Sequence, residues 1–169
     1  YNLYLEANNM TDEIGDLRDL VHSKSSHTKE ALEKFYKKWK HETLVMQKWL
    51  GVQASAPYND AYEFVLKLES DPVYDKTVPN LVRSLIGQFS GNKLQFNHES
   101  GRGYTLIADR IIELDKLNPQ MASRLASQYK DFKRLPSSLK ELMKPELQRI
   151  MTTDGLSKNV FEIVSKILA

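Results

Sequence analysis

The chain has 169 residues, a formal net charge of +2 and no cysteine. Hydrophobic residues make up 41% and charged residues 27%, the composition of an ordinary globular protein that buries a core of its own. Disulfide bonds and thiolate metal sites are excluded. The small net charge argues against a nucleic-acid partner, and no apolar run approaches the roughly 20 residues that cross a membrane.

Helical periodicity begins near residue 10 and continues to the end of the chain. Apolar residues at helical spacing predict helices that begin near Met10, Thr28 and Thr43, followed by a short helix around Tyr62. Residues 1–9 are expected to be the tail of a preceding linker or helix. The chain begins with tyrosine rather than methionine, which is expected of a piece of a longer polypeptide or of a mature form.

The next predicted helix begins at Pro79, since proline suits the first helical position, where its missing N–H costs nothing. The apolar stripe of this helix consists of Val82, Leu85, Ile86 and Phe89. By helical geometry, Arg83 projects roughly 100° from the centre of that stripe. This arginine is therefore predicted to lie at the edge of the buried face.

Residues 90–103 form the longest loop-like segment, because they are rich in glycine, asparagine and serine. A strong helix is predicted over residues 104–117, and two further helices begin near Pro136 and Ser157.

No charged segment followed by an apolar one opens the chain, and a cytoplasmic location is expected.

The helix between these elements is predicted to begin at Pro119, capped by Asn118, and to continue to Phe132. Arg124 lies at the edge of its apolar stripe. Gln120 lies one turn before that arginine on the same face. Both arginine-bearing helices thus open with proline and carry the arginine about one turn in.

The predicted fold is all-α, because no segment alternates strictly between apolar and polar residues. Short connections between helices imply antiparallel neighbours. The absence of one long coiled-coil period argues against a four-helix bundle. We therefore expect one domain over residues 1–169, an irregular α-solenoid or superhelical array of about eight antiparallel helices.

The sequence carries no recognisable catalytic motif. A helical zinc protease signature needs two histidines four residues apart, but the His41–Glu42 and His98–Glu99 pairs both lack the second histidine. A Gly-x-Ser-x-Gly nucleophile elbow and a phosphate-binding glycine loop are also absent. We expect no catalytic residue, no metal ligand and no cofactor in this chain.

The arginines are more informative, because a guanidinium offers planar donors that suit carboxylates and carbonyl oxygens. One interpretation is structural: Arg83 and Arg124 pair with neighbouring carboxylates or cap the carbonyl end of a helix. The other is that they face a polar cavity and contact a bound molecule there. Spacing alone leaves both interpretations open.

Several segments, in order, resemble the C-terminal domain of bacterial-type aminopeptidase N, a family of zinc aminopeptidases of the gluzincin (M1) class. They are ANNMTD (7–12), FYKKWKHETLVMQKWLGVQASAP (35–57), PNLVRSLIGQF (79–89), the F-x-H and G-x-G-Y loop (96–104) and NPQMASRL (118–125). Order and spacing agree across about nine tenths of the chain. The segment DFKRLPSSL (131–139) and Asn97 depart from the family pattern.

The resemblance implies that this chain is part of a hydrolase that releases N-terminal amino acids from peptides. The catalytic zinc and its HExxH helix then lie upstream, in a catalytic domain of the same polypeptide. In the family, the C-terminal domain is a superhelical array that closes over a chamber for short peptides. Residues matching Arg83, Gln120 and Arg124 face that chamber near the substrate path.

Two other interpretations differ in class. The chain could be a stand-alone HEAT-like helical module that binds a protein partner on its concave face. It could also be an independent enzyme, which is not favoured because no nucleophile–base pair or metal constellation is visible. The isolated chain is expected to hydrolyse nothing.

Overall fold

The computed structural model describes all 169 residues, and every regular element in it is helical. The all-α prediction is therefore confirmed. The chain divides into two compact units, Tyr1–Asn92 and Lys93–Ala169. That residues 1–169 form a single domain therefore stays a prediction. None of the helices combines the length and the apolar character that a membrane-spanning helix requires.

The first unit is built from seven α-helices and one π-helical turn. They are α1 (Asn2–Glu6), α2 (Met10–His22), α3 (Thr28–Trp39), α4 (Thr43–Ala54), α5 (Asp60–Leu68), α6 (Pro79–Val82), the π turn (Arg83–Gly87) and α7 (Gln88–Gly91). The core of this unit contains fully buried large side chains such as Leu17, Phe35 and Leu50. Residues 1–9 include a helix of their own, and its Tyr4 is buried, with the hydroxyl donating to the Ala31 carbonyl at 3.1 Å.

The helix that begins at Pro79 is interrupted in its middle. The N–H of Gln88 donates to the carbonyl of Arg83, five residues earlier, which is the hydrogen bond of a π turn. The predicted apolar stripe is nonetheless buried as expected, and its members are at most 1% exposed. The helix therefore keeps its core face while its backbone widens beside Arg83.

The second unit contains five α-helices and one 3-10 segment. They are α8 (Lys93–Phe96), α9 (Arg102–Asp115), α10 (Pro119–Ala126), the 3-10 segment (Ser127–Arg134), α11 (Ser137–Met151) and α12 (Lys158–Leu168). Asn118 and Ser157 cap α10 and α12, accepting from the N–H groups of Met121 and Val160 at 3.1 and 3.3 Å. The predicted cap at Asn118 is confirmed.

Two sequence predictions for the second unit are wrong in detail. The segment predicted as a loop contains the helical turn α8 and the first residues of α9. The helix from Pro119 ends at Ala126 rather than reaching Phe132, because the chain tightens there into the 3-10 segment. Both differences concern short pieces whose geometry depends on tertiary packing.

An aromatic cluster organises the second unit. Phe96 packs edge to face against Tyr104 and Tyr129, with ring centroids 5.1 Å apart in both pairs. The Tyr129 hydroxyl donates to the Tyr104 carbonyl at 2.6 Å, and the Tyr104 hydroxyl donates to the Asn97 side chain at 2.7 Å. Burial raises the pKa of Tyr104 to about 12 and that of Tyr129 well above its usual range. Both phenols therefore stay protonated near neutral pH and serve packing.

The two glycines of the G-x-G-Y loop resist a side chain for different steric reasons. Gly101 adopts a φ of 75°, a left-handed conformation that glycine tolerates best. At Gly103, an added Cβ would lie 2.5 Å from the carbonyl oxygens of both Gln95 and Phe96. The backbone conformation at Gly101 and the close approach of α8 at Gly103 therefore both favour glycine in this loop.

Candidate functional site

Neither His–Glu pair belongs to a metal-binding cluster. No three His, Asp or Glu side chains lie close enough together to hold a metal ion. His98 instead forms a contact of 2.8 Å between its Nδ1 and the Ser100 hydroxyl, within the loop before α9. His41 lines an open groove beside Lys40 and Asp75.

Arg83 lies at the first residue of the π turn, and its side chain is exposed. Its Nη1 donates to the side-chain oxygen of Asn80 at 3.1 Å. Asn80 is neutral, and no carboxylate of this chain forms an ion pair with Arg83. A neutral partner therefore orients this guanidinium, and no group of the chain neutralises its positive charge.

Gln120 and Arg124 are brought together as the sequence predicts, one turn apart on the exposed side of α10. Met121 and Leu125 of the same helix are buried and hold it against the core. Arg124 lies in the last turn, where the helix dipole favours a cation. Its guanidinium forms no hydrogen bond or ion pair within the chain.

These three side chains belong to different units. Arg83 lies in the first unit, whereas Gln120 and Arg124 lie in the second. In each unit the arginine is an exposed cation without a carboxylate partner from this chain. Such a group can bind a carbonyl oxygen or an anionic group of another molecule, and it supplies no nucleophile or general base.

Two features of the first unit were not found from the sequence. One is the contact between Arg83 and Asn80, which the spacing of three residues on a helix could have suggested. The other is an open groove of about 600 Å³ whose lining includes Arg18, Lys48 and Gln88 and no carboxylate. Its cations come from two helices, α2 and α4, so no local sequence signal joins them.

Comparison with known proteins places the whole chain in a family. The model of the family described as "Domain of unknown function (DUF3458_C) ARM repeats" matches residues 1–169. The description agrees with the helical array predicted from the sequence.

Relatives with curated names are aminopeptidases. The chain is 40% identical over 163 residues to aminopeptidase N of Caulobacter vibrioides, and 36% and 34% identical over 166 and 165 residues to those of Haemophilus influenzae and Escherichia coli. These alignments cover 96%, 98% and 97% of this chain. The chain spans 19% of the length of each of these relatives.

A solved structure shows the same fold. The crystal structure of Legionella pneumophila aminopeptidase A in complex with aspartic acid superposes with a TM-score of 0.89 and 31% identity, over 95% of this chain and 19% of that one. The resemblance to the C-terminal domain of aminopeptidase N is thereby confirmed. The chain belongs to the DUF3458_C family of ARM-repeat domains, the C-terminal helical domain of aminopeptidase N-type enzymes.

Proposed function

We propose that this chain is the chamber-closing part of a zinc aminopeptidase of the M1 family, which releases N-terminal amino acids from short peptides. The observation that carries the proposal is the near-complete alignment of the chain with about a fifth of three aminopeptidases N. The remaining four fifths of such a polypeptide would hold the catalytic domain, which is the proposed partner of this chain. The cytoplasm is the proposed location of the enzyme.

The residues of this chain do not fit a zinc site. No three His, Asp or Glu side chains lie together, whereas a catalytic zinc ion is held by three protein ligands. The proposed zinc therefore belongs to the catalytic domain, and the isolated chain is proposed to be inactive. The contribution of this chain is steric and electrostatic.

Arg83, Gln120 and Arg124 are the proposed substrate contacts. Two findings support this role: all three side chains are exposed, and neither guanidinium is neutralised by a carboxylate of this chain. A peptide offers both kinds of acceptor that arginine suits, backbone carbonyl oxygens and a C-terminal carboxylate. The helical walls around them would exclude folded proteins from the chamber.

The proposal is tested by Arg124→Ala in the full-length enzyme. We expect the KM for short peptides to rise about fivefold to tenfold, because one charge-assisted hydrogen bond is lost. The KM for a small aminoacyl amide should stay within about twofold, because that substrate lacks the downstream peptide groups that Arg124 is proposed to contact.

Arg134→Ala is a matched control, since Arg134 is another exposed arginine of the second unit at the end of the 3-10 segment. It should leave both substrates unaffected. Unchanged peptide kinetics in Arg124→Ala would refute the substrate role of this arginine.

A stand-alone HEAT-like binding module is the second candidate. It agrees with the ARM-repeat family description but not with relatives that are about five times as long. Peptide hydrolysis by a longer product of the same gene, and none by the isolated chain, would decide against it.

A further inference from the structure

The side chain of Asn80 is placed to control the Arg83 guanidinium. Asn80 is the second residue of α6, and its Oδ1 accepts a hydrogen bond of 3.1 Å from Nη1 of Arg83. Side chains on a helix lean towards its N-terminus, so an arginine stem reaches the residue three positions earlier. The contact therefore follows from the geometry of the first turn.

The arginine stem also passes close to a glycine of the same helical segment. Gly87 follows Arg83 by four residues, and a Cβ added there would lie 3.5 Å from Cγ of Arg83. A methyl group at position 87 would therefore make an ordinary van der Waals contact with the stem. The guanidinium is thus directed by Asn80 while its stem passes a residue without a side chain.

The chemical nature of the partner matters as much as its position. An amide oxygen accepts one of the five N–H groups of arginine and carries no charge, so the guanidinium keeps its full positive charge. An aspartate in the same place would form a charge-assisted pair and compensate that charge. The remaining donors of Arg83 have no carboxylate partner in this chain.

We propose that Asn80 is a positioning residue: it holds the guanidinium of Arg83 for the C-terminal carboxylate of a short peptide without neutralising it. The inference rests on the proposed function and deepens it by naming the substrate group that Arg83 recognises. The substrate class is then short peptides with a free C-terminal carboxylate, in preference to the same peptides amidated at that end.

The test compares Asn80→Asp and Arg83→Ala in the full-length enzyme, using one tripeptide as free acid and as C-terminal amide. Arg83→Ala should raise the KM of the free acid about tenfold, because a charge-assisted contact is lost. Asn80→Asp keeps the shape of the side chain and supplies a competing carboxylate. It should raise the same KM to within about threefold of the Arg83→Ala value, with kcat and the amidated peptide unaffected.

Two further variants make the result specific. Asn159→Asp is the matched control, since Asn159 is also an exposed second residue of a helix, α12, and its substitution adds the same charge. It should leave the KM of both peptides unchanged. Asn80→Ala removes the hydrogen bond without adding charge, and the KM of the free acid should rise less, about twofold to threefold.

The possible failures are distinguishable. An unchanged KM in Arg83→Ala refutes the substrate role of Arg83 and this inference with it. A raised KM in Arg83→Ala but not in Asn80→Asp leaves that role standing and overturns the inference. Equal effects of Asn80→Asp on the free and amidated peptides also overturn it. Unfolding is not expected to interfere, since an acidic residue in the first turn favours a helix.

Discussion

Among the glycines of this chain, Gly103 is the one at which packing leaves least room for a side chain. It lies in the first turn of α9, directly against the end of α8. An added Cβ would lie 2.5 Å from the carbonyl oxygens of Gln95 and Phe96 and 2.8 Å from the Phe96 Cα. All three atoms belong to the backbone, so no side chain can rotate away. Gly103→Ala must therefore displace one helix from the other.

Two opposing effects set the size of the change. Forcing an extra methyl group into a packed site costs about 1–3 kcal/mol or more, and backbone contacts as short as these belong at the upper end. Alanine in place of glycine in a helix gains about 1 kcal/mol. We therefore expect Gly103→Ala to lower the free energy of unfolding by about 2 kcal/mol.

Urea denaturation followed by far-ultraviolet circular dichroism measures this loss. Gly15→Ala is the matched control, because Gly15 is also helical and an added Cβ there would meet nothing within 4 Å. That substitution should raise stability by about 0.5–1 kcal/mol. A Gly103→Ala variant as stable as the Gly15→Ala variant would refute the steric explanation.

Two other stability predictions follow from buried polar groups. Glu13 is only 5% exposed and accepts from Nζ of Lys38 at 2.8 Å and Nε1 of Trp39 at 3.1 Å. Because Lys38 is half exposed and screened by solvent, Glu13→Gln should lower the free energy of unfolding by only about 1 kcal/mol in urea denaturation. An unchanged free energy of unfolding would contradict an energetic role for this contact. At high pH, burial raises the pKa of Tyr104 to about 12. Its neutral form therefore stabilises the fold fully below about pH 10, the ordinary tyrosine value, and this stabilisation is lost as the pH rises towards 12. The last rise in tyrosinate absorbance should accordingly coincide with the loss of helical circular dichroism, and ionisation of every tyrosine with helicity intact would contradict the burial.

Local signals made most helices predictable. Asn118 before Pro119 and Ser157 before the last apolar stripe are both N-cap residues of the kind that favour a helix start, and the structure uses both. The apolar stripe of the Pro79 helix correctly predicts which side chains are buried. The same stripe fits a regular α-helix, so it contains no signal for the π turn at Arg83–Gly87.

Contacts between different helices could not be predicted. Gly103 lies at the end of the segment predicted as a loop, so the sequence did not indicate that it packs against a helix. The carbonyl groups that crowd it belong to α8, which lies within that segment. Glu13 is polar yet buried, since its partners come from α3.

The candidate site was accessible from the sequence in part. Helical spacing predicted Gln120 and Arg124 on one face at the edge of the apolar stripe, and in the structure both side chains are exposed. The neutral partner of Arg83 was not identified, because a helical position alone does not show which neighbour an arginine contacts.

The central claim is that the uncompensated cations of this helical chain serve peptide binding in a larger aminopeptidase. A crystal structure of the complete polypeptide with a bound short peptide tests it most directly. We predict that the guanidinium groups of Arg83 and Arg124 lie on the chamber side, within hydrogen-bonding distance of peptide carbonyl or carboxylate oxygens. Both guanidinium groups paired with acidic side chains on an outer surface, away from the peptide, would contradict the claim.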